Sequence, residues 1–393
     1  MVSFFKRFRN ALKAVAVVGS LSAVAACDVP TTADIGGGGG GVSGGSVDVA
    51  LLVPAGSGVG ELDVIARSLE NAARLAMADL NGVDVNLTVY NTARNTGTAV
   101  SAANQAIAAG ADIILGPLDG EAAAAVGLAT RASGRNVLSF SNNTAIAGGN
   151  VFILGQTFQD SANRLAGYAR RQGLSRVAVV HAQNIAGEAG RAAVAQALAS
   201  NGLALAGSTG YENSLPGVSN AVSQVRSTVN SSGADAIFLT SPSAGALPIL
   251  AELLPEASLG PDRIQYLGLS RWDNDSRLFS LSGVQGGWFA MPDRARAAAF
   301  SNRYSASYGS APHPLAFTAY DGMAVIGALV AQGGQNPLNG GAITRGRGFQ
   351  GANGILRFRA NGTNQRGLAV GSIQGGQVVT LQAAPQSFGG AGF

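Results

Sequence analysis

The sequence predicts an α/β protein made of two doubly wound parallel-sheet lobes that face each other across a central cleft. Three observations predict it. From Val47 onward, short aliphatic runs alternate with longer stretches whose apolar residues recur at helical spacing. The aliphatic runs are continuous rather than alternating, which suits strands covered on both faces. The strand–helix series also occurs twice, the second beginning near Gln159, without obvious sequence identity between the two.

In the first series, Val47–Val53 reads as a buried strand and Glu61–Leu80 as a helix carrying Ile65, Leu69, Ala72, Ala76 and Leu80 on one face. Val85–Tyr90 is a strand, Thr98–Ala109 a helix, Ile113–Leu115 a strand, Glu121–Arg131 a helix and Asn136–Ser139 a strand. In the second series, Ser161–Arg171 is helical and Arg176–Val180 extended. Ala189–Ser200 is a helix, Leu203–Ser208 a strand, Val218–Val229 a helix, Ala236–Thr240 a strand, Ala244–Leu253 a helix and Ile264–Leu269 a strand. The last third supplies a strand at Gly287–Ala290 and helices at Ala297–Tyr308 and Leu315–Val330. A closing hairpin of Gly354–Phe358 and Leu368–Ser372 turns at Ala360-Asn361-Gly362. These late segments are expected to cross back and finish the earlier lobes. Lobe 1 is therefore assigned residues 46–157 plus 288–345, and lobe 2 residues 158–287 plus 346–393.

The 393 residues suffice for two domains with proper cores. The net charge of +4 invites a nucleic-acid reading, which fails on inspection. Lys6, Arg7, Arg9 and Lys13 lie in a first segment with no acidic residue, and the remaining chain has 26 − 4 = 22 basic residues against 22 acidic ones. With the arginines scattered, no clustered positive surface for phosphates is expected.

That first segment has the layout of a secretory signal. Met1–Lys13 is positive and Ala14–Ala26 is apolar but short for a permanent span. Val24-Ala25-Ala26-Cys27 then resembles the lipobox of bacterial lipoproteins. The resemblance implies cleavage at 26, a diacylglycerol thioether on Cys27 and an acylated new amino terminus. Each buried methylene contributes roughly 0.8 kcal/mol, so such an anchor is close to permanent. Cys27 is the only cysteine, which leaves no intrachain disulfide and no other use for an exported thiol. Residues 27–45 carry the hexaglycine run Gly36–Gly41, too glycine-dense to hold a fixed backbone, and read as a tether. No later apolar run is long enough for a transmembrane helix.

Several local motifs carry a family resemblance. Ala50-Leu51-Leu52-Val53-Pro54-Ala55-Gly56, Ile114-Leu115-Gly116-Pro117-Leu118, Tyr320-Asp321-Gly322-Met323 and Gly351-Ala352-Asn353-Gly354-Ile355-Leu356-Arg357-Phe358 are similar to the opening strand, third strand, late helix and closing hairpin of one group. The chain from Val47 to Leu381 thus resembles the type I periplasmic binding proteins, in particular the leucine-binding-protein-like group. Within it, the anchor, the Ile-Leu-Gly-Pro-Leu turn and Leu138-Ser139-Phe140-Ser141-Asn142-Asn143 look most like the penicillin-binding-protein activators, envelope lipoproteins that dock on peptidoglycan synthases. One departure stands out. Enterobacterial activators carry a helical-repeat domain before this fold, and here only the tether separates Cys27 from the first strand.

The fold places ligands between lobes, at the carboxyl ends of the strands. The candidate cleft residues are Ser57, Gly58, Asp119, Gly120, Ser141, Asn142, Asn143, Thr144, Asn184 and Ser241. Amino-acid binders of the family place a hydroxyl after the third strand, another after the fourth, and an aromatic after the second lobe's first strand. Here Asp119-Gly120 and Asn184-Ile185-Ala186-Gly187 stand at the first and last places, and only Ser141 and Thr144 keep the pattern. Asp119 would repel a ligand carboxylate or else cap a helix, and Ser141–Asn143 would grip a ligand or satisfy their own loop. A cationic, neutral or peptide-like small polar ligand, or no ligand at all, fits better than a free α-amino acid.

Other chemistries lack their residues. His181 and His313 have no metal-like spacing, so no metal or cofactor is expected. The Gly56–Gly60 loop lacks the Lys and Ser/Thr of a phosphate-binding loop, and no nucleophile–base set suggests an enzyme. Trp272 would flank the cleft or pack in a core. The expectation is a non-enzymatic envelope lipoprotein facing the periplasm, with the outer membrane favoured over the inner. It would regulate peptidoglycan synthesis by contact with a synthase. The alternative is the substrate-binding lipoprotein of an ABC importer for amino acids or small peptides, with a permease as partner.

Overall fold

A computed structural model describes residues 45–346 and 348–389. The expected signal, Cys27 anchor and glycine tether lie outside the described residues, apart from Gly45. Lobe 1 is built on a five-stranded sheet ordered β2-β1-β3-β4-β5, every pair parallel. Its strands are β1 (Ser46–Val53), β2 (Asp84–Asn91), β3 (Ile113–Leu115), β4 (Asn136–Ser139) and β5 (Val151–Ile153). The helices α1 (Gly60–Met77), α2 (Thr96–Ala108) and α3 (Gly120–Thr130) connect them.

Because β1 is covered on both sides, its residues serve two cores in alternation. Val47, Val49, Leu51 and Val53 pack under α1, whereas Ala50 and Leu52 pack under the alanines of α2 and α3. Small residues on those helices allow close approach to the sheet. Gly116, at the end of β3, has φ +96°, and a β-carbon there would overlap the Leu52 carbonyl oxygen.

Lobe 2 contains α4 (Phe158–Arg171), β6 (Arg176–Ala182), α5 (Ile185–Ser200), β7 (Ala204–Tyr211), α6 (Leu215–Ser232), β8 (Ala236–Leu239), α7 (Leu247–Glu256), β9 (Gln265–Gly268) and β10 (Trp288–Met291). Its seven-stranded sheet runs β15-β14-β10-β9-β8-β6-β7. Five strands are parallel, and β14 (Ala369–Gln374) and β15 (Gln377–Gln382) close one edge antiparallel. Trp272 is fully buried beside Phe289, ring centroids 5.9 Å apart, where Gly268 and Gly287 leave it room. It is a core residue and does not flank the cleft.

The late segments divide differently from the sequence expectation. β10 belongs to lobe 2: Phe289 and Met291 enter that lobe's core and β10 pairs with β9. The chain then returns to lobe 1 through α8 (Arg294–Tyr308), α9 (Ala316–Ala331) and α10 (Gly340–Ile343). A small antiparallel sheet of β11 (Phe349–Gly351), β12 (Gly354–Phe358) and β13 (Asn364–Arg366) follows and stays with lobe 1. Phe349, Leu356 and Phe358 join that lobe's core, Phe358 meeting Phe152 edge to face at 5.7 Å. The expected hairpin is thus two structures. The Ala360–Gly362 turn joins β12 to β13, while Ala369–Gln374 pairs in lobe 2. The reason is burial: phenylalanines before the turn and aliphatic residues after it complete two different cores.

The chain crosses between lobes after β5, after β10 and after β13. One buried ion pair ties these crossings together. Arg366 Nη1 donates to Asp321 Oδ2 at 2.7 Å, with both side chains almost fully buried. The Arg366 Nε and Nη2 also donate to the Leu154 carbonyl at the first crossing. Asp321 Oδ1 accepts from the Ala352 backbone N–H at 2.7 Å, and Asn353 in turn accepts from the Asp293 N–H at the second crossing.

Candidate interlobe ligand site

The loops at the carboxyl ends of the strands carry most of the residues expected at the cleft. After β4, however, the loop satisfies itself. Ser139 Oγ accepts from Ser141 N, Ser141 Oγ from Asn143 N, and Asn143 Oδ1 from Ala145 N, each at 3.0–3.1 Å. These are local side-chain-to-backbone bonds of the kind that shape turns. Gly120 sits against this loop, since a β-carbon there would stand 3.4 Å from Ser141 Oγ and 3.3 Å from Asn143 Nδ2.

Asp119 precedes α3 without a side-chain cap bond. Its Oδ1 instead accepts from Arg94 Nε at 3.1 Å. The charge expected to repel a carboxylate therefore has a partner on the loop after β2, separated from it by 25 residues in sequence. Asn184 is the N-cap of α5, accepting from Gly187 N at 2.8 Å. Ser57 Oγ accepts from Val59 N at 3.2 Å, and Gly58 turns the same loop with φ +77°. Ser241 is buried and hydrogen-bonded through its hydroxyl to Tyr211 at 2.5 Å. His181 is also buried, its Nδ1 3.2 Å from the Ala182 carbonyl and 3.4 Å from Glu188. The Arg191 hydrogen bond, reinforced by His181, holds the Glu188 carboxyl below its ordinary range.

Between the lobes lies a cavity of about 690 Å³. Asn142, Asn143 and Thr144 line it from lobe 1, and Ile185, Ala186, Ala189 and Ala193 from the exposed side of α5. Thr157, Phe158 and Gln159 contribute from the start of α4, and Arg359, Asn361, Thr363 and Asn364 from the β12–β13 hairpin. The structure thus brings Asn142–Thr144 together with the helix that Asn184 caps. Ser57, Gly58, Asp119, Gly120, Ser141, Asn184 and Ser241 do not line this cavity.

The hairpin residues escaped sequence reasoning. Asn364 is 1% exposed, and its Nδ2 donates to both the Ile153 and Gly155 carbonyls at 2.8 Å. Those two bonds fix the amide orientation, leaving Oδ1 with no hydrogen-bond partner among the described residues. A buried acceptor without a donor is costly, by about 1–3 kcal/mol, and the residue that carries it is among those lining the interlobe cavity. An asparagine in a strand is a weak signal of this, since strands are depleted in that residue. The hairpin's contact with lobe 2 is invisible in sequence.

Two lobes, each on a largely parallel sheet, thus enclose a cavity whose lining mixes polar and apolar groups. A family profile described as "Periplasmic binding protein" matches residues 46–377. The chain belongs to the periplasmic binding protein family. No curated sequence matches it. Solved periplasmic binding proteins share its fold. A putative branched-chain amino acid ABC transporter protein from Rhodospirillum rubrum superposes with a TM-score of 0.71 at 18% identity, covering 86% of this chain and 100% of that one. The ABC transporter substrate-binding protein of Desulfitobacterium hafniense in complex with Leu gives 0.62 at 18% identity, covering 86% and 100%. A solute-binding protein of an ABC transporter from R. palustris, in complex with benzoate, gives 0.56 at 18% identity, covering 88% and 99%. The likeness of this periplasmic binding protein to them is one of fold.

Proposed function

We propose that this protein is the non-enzymatic solute receptor of an ABC importer, carrying a small polar ligand in the interlobe cavity. The observation that carries the reading is a cavity of about 690 Å³ lined from both lobes, with Asn364, whose Oδ1 has no hydrogen-bond partner among the described residues, in its lining. The ligand would offer a donor to Asn364, rest an apolar part on Phe158 and the α5 alanines, and place a polar or anionic end near Arg359. The solved relatives include receptors of ABC transporters bound to Leu and to benzoate, which supports import and leaves the ligand class broad. A free α-amino acid fits less well, because the hydroxyl of Ser141 is already engaged within its own loop.

The receptor would face the periplasm, held by a lipidated Cys27 on its glycine tether. Among the described residues no helix is long and apolar enough to cross a membrane. With an importer permease as partner, the anchor would sit in the inner membrane rather than the outer one expected from the sequence. Contact with a peptidoglycan synthase is the second reading. What supports it is the engaged β4 loop, which leaves the amino-acid pattern unavailable.

A thermal-shift screen of amino acids, small peptides and aromatic acids tests the proposal. A ligand at 100 times its Kd adds about 2.7 kcal/mol of stability, a clear rise in melting temperature. Affinity capture from envelope extract should then recover permease subunits. A flat screen, with a peptidoglycan synthase captured instead, would overturn import in favour of the second reading.

A further inference from the structure

A second cavity, of about 410 Å³, adjoins the first along Gln159, Gln196 and Arg359, which border both. Its lining is unlike that of the first. Arg164 and Arg171 approach it from α4, and Arg359 and Arg366 from the β12–β13 hairpin. Arg366 is neutralised by Asp321. Arg171 gives one hydrogen bond to the neutral Gln382 side chain, and neither Arg171 nor Arg359 has a carboxylate within ion-pair distance among the described residues.

Among the described residues, Asp160 is the only acidic one lining this cavity. It is buried, its Oδ2 is taken by the Thr157 N–H and hydroxyl, and burial pushes its carboxyl up toward the neutral form. Arg164 is 7% exposed, and burial, reinforced by the Arg171 charge, brings its guanidinium down to about 10. The space itself depends on a missing side chain. Residues 160, 164, 167 and 171 share one face of α4, and a β-carbon at Gly167 would stand 3.1 Å from Asn201 and 3.5 Å from Arg171, inside the cavity.

We propose that this cavity is a binding site for a compact polyvalent oxyanion, phosphate- or sulfate-like, held between Arg171 of lobe 2 and Arg359 of lobe 1. Guanidinium forks match such anions bidentately, and because Arg171 and Arg359 are both exposed, the attraction weakens as salt rises. The anion's grip spans the hinge, so its occupancy and the position of the lobes are thermodynamically linked, and each biases the other.

The test is calorimetry and thermal melting of the purified full-length protein with inorganic phosphate, sulfate, succinate and chloride at matched ionic strength. Phosphate or sulfate should raise the melting temperature by several degrees, chloride should not, and the rise should disappear in both Arg171→Gln and Arg359→Gln. Arg226→Gln, an exposed arginine on α6 remote in the fold, should retain it. Arg171 does not line the first cavity, so loss of anion binding in Arg171→Gln with solute binding intact separates this site from the proposed receptor function. An equal shift in all three variants, a shift with chloride alone, or no measurable anion binding would overturn the proposal.

Discussion

The loop after β4 and the β12–β13 hairpin both border the interlobe cavity, and they differ in what their polar groups already do. Along Ser139–Ala145, side-chain oxygens are taken by backbone N–H groups two residues on. On the hairpin, Asn364 keeps an open acceptor and Arg359 keeps a cation without an ion-pair partner among the described residues. Groups that finish building a fold have little left for a ligand. The proposed binding capacity rests on what the fold leaves unengaged, and so on the hairpin rather than the loop.

The comparison breaks first at the hairpin's anchor. Arg366→Leu leaves Asp321 buried without its partner and should cost roughly 3–5 kcal/mol, measured by denaturant unfolding. Next, Asn364→Ala strips the donors from two backbone carbonyls and removes the open acceptor. A loss of about 1–3 kcal/mol in stability is expected, with solute binding weakened beyond that seen in any loop variant. Titration of the solute found by the thermal screen measures the second effect.

On the loop side, Ser141→Ala should cost about 1 kcal/mol of stability and leave solute affinity within a factor of two. If it instead abolishes binding, the contrast between loop and hairpin is wrong. Asn184→Ala should likewise cost about 1 kcal/mol through the lost α5 cap, with affinity little changed. The mildest effect is a slope. Burial holds the Asp160 proton more tightly in the folded state than at the ordinary value of 3.8. Its stability contribution is present below that value and is lost as pH rises through the higher folded pKa. Asp160→Asn, compared with the parent protein in unfolding experiments across pH, should therefore gain relative stability as pH rises. A difference independent of pH would place no titration at Asp160.

Much of the fold was legible in the strand and helix periods. The blocks from Val47 to Gly268 lie close to where periodicity puts them, because a doubly covered parallel strand needs a continuous aliphatic run. Edge strands were less legible: β5, β11 and β15 each end a sheet and are not covered in the way the central parallel strands are. The site was legible only in part. Asn142–Thr144, expected at a strand end, do line the interlobe cavity, whereas Asn184 caps α5 and does not. Arg94 was missed as the partner of Asp119, and Arg359 and Asn364 as cavity residues, because each acts across a separation that no local pattern records.

The sequence by itself determined the class of fold, the two-lobed repeat and the distribution of strands and helices, since these follow from local hydrophobic spacing. Only the tertiary structure decided which lobe each late segment completes and which polar groups remain open. Both depend on burial against partners distant in the chain. Phe358 belongs to lobe 1 because Phe152 is there to receive it, and Asn364 keeps an open oxygen because Ile153 and Gly155 occupy its nitrogen.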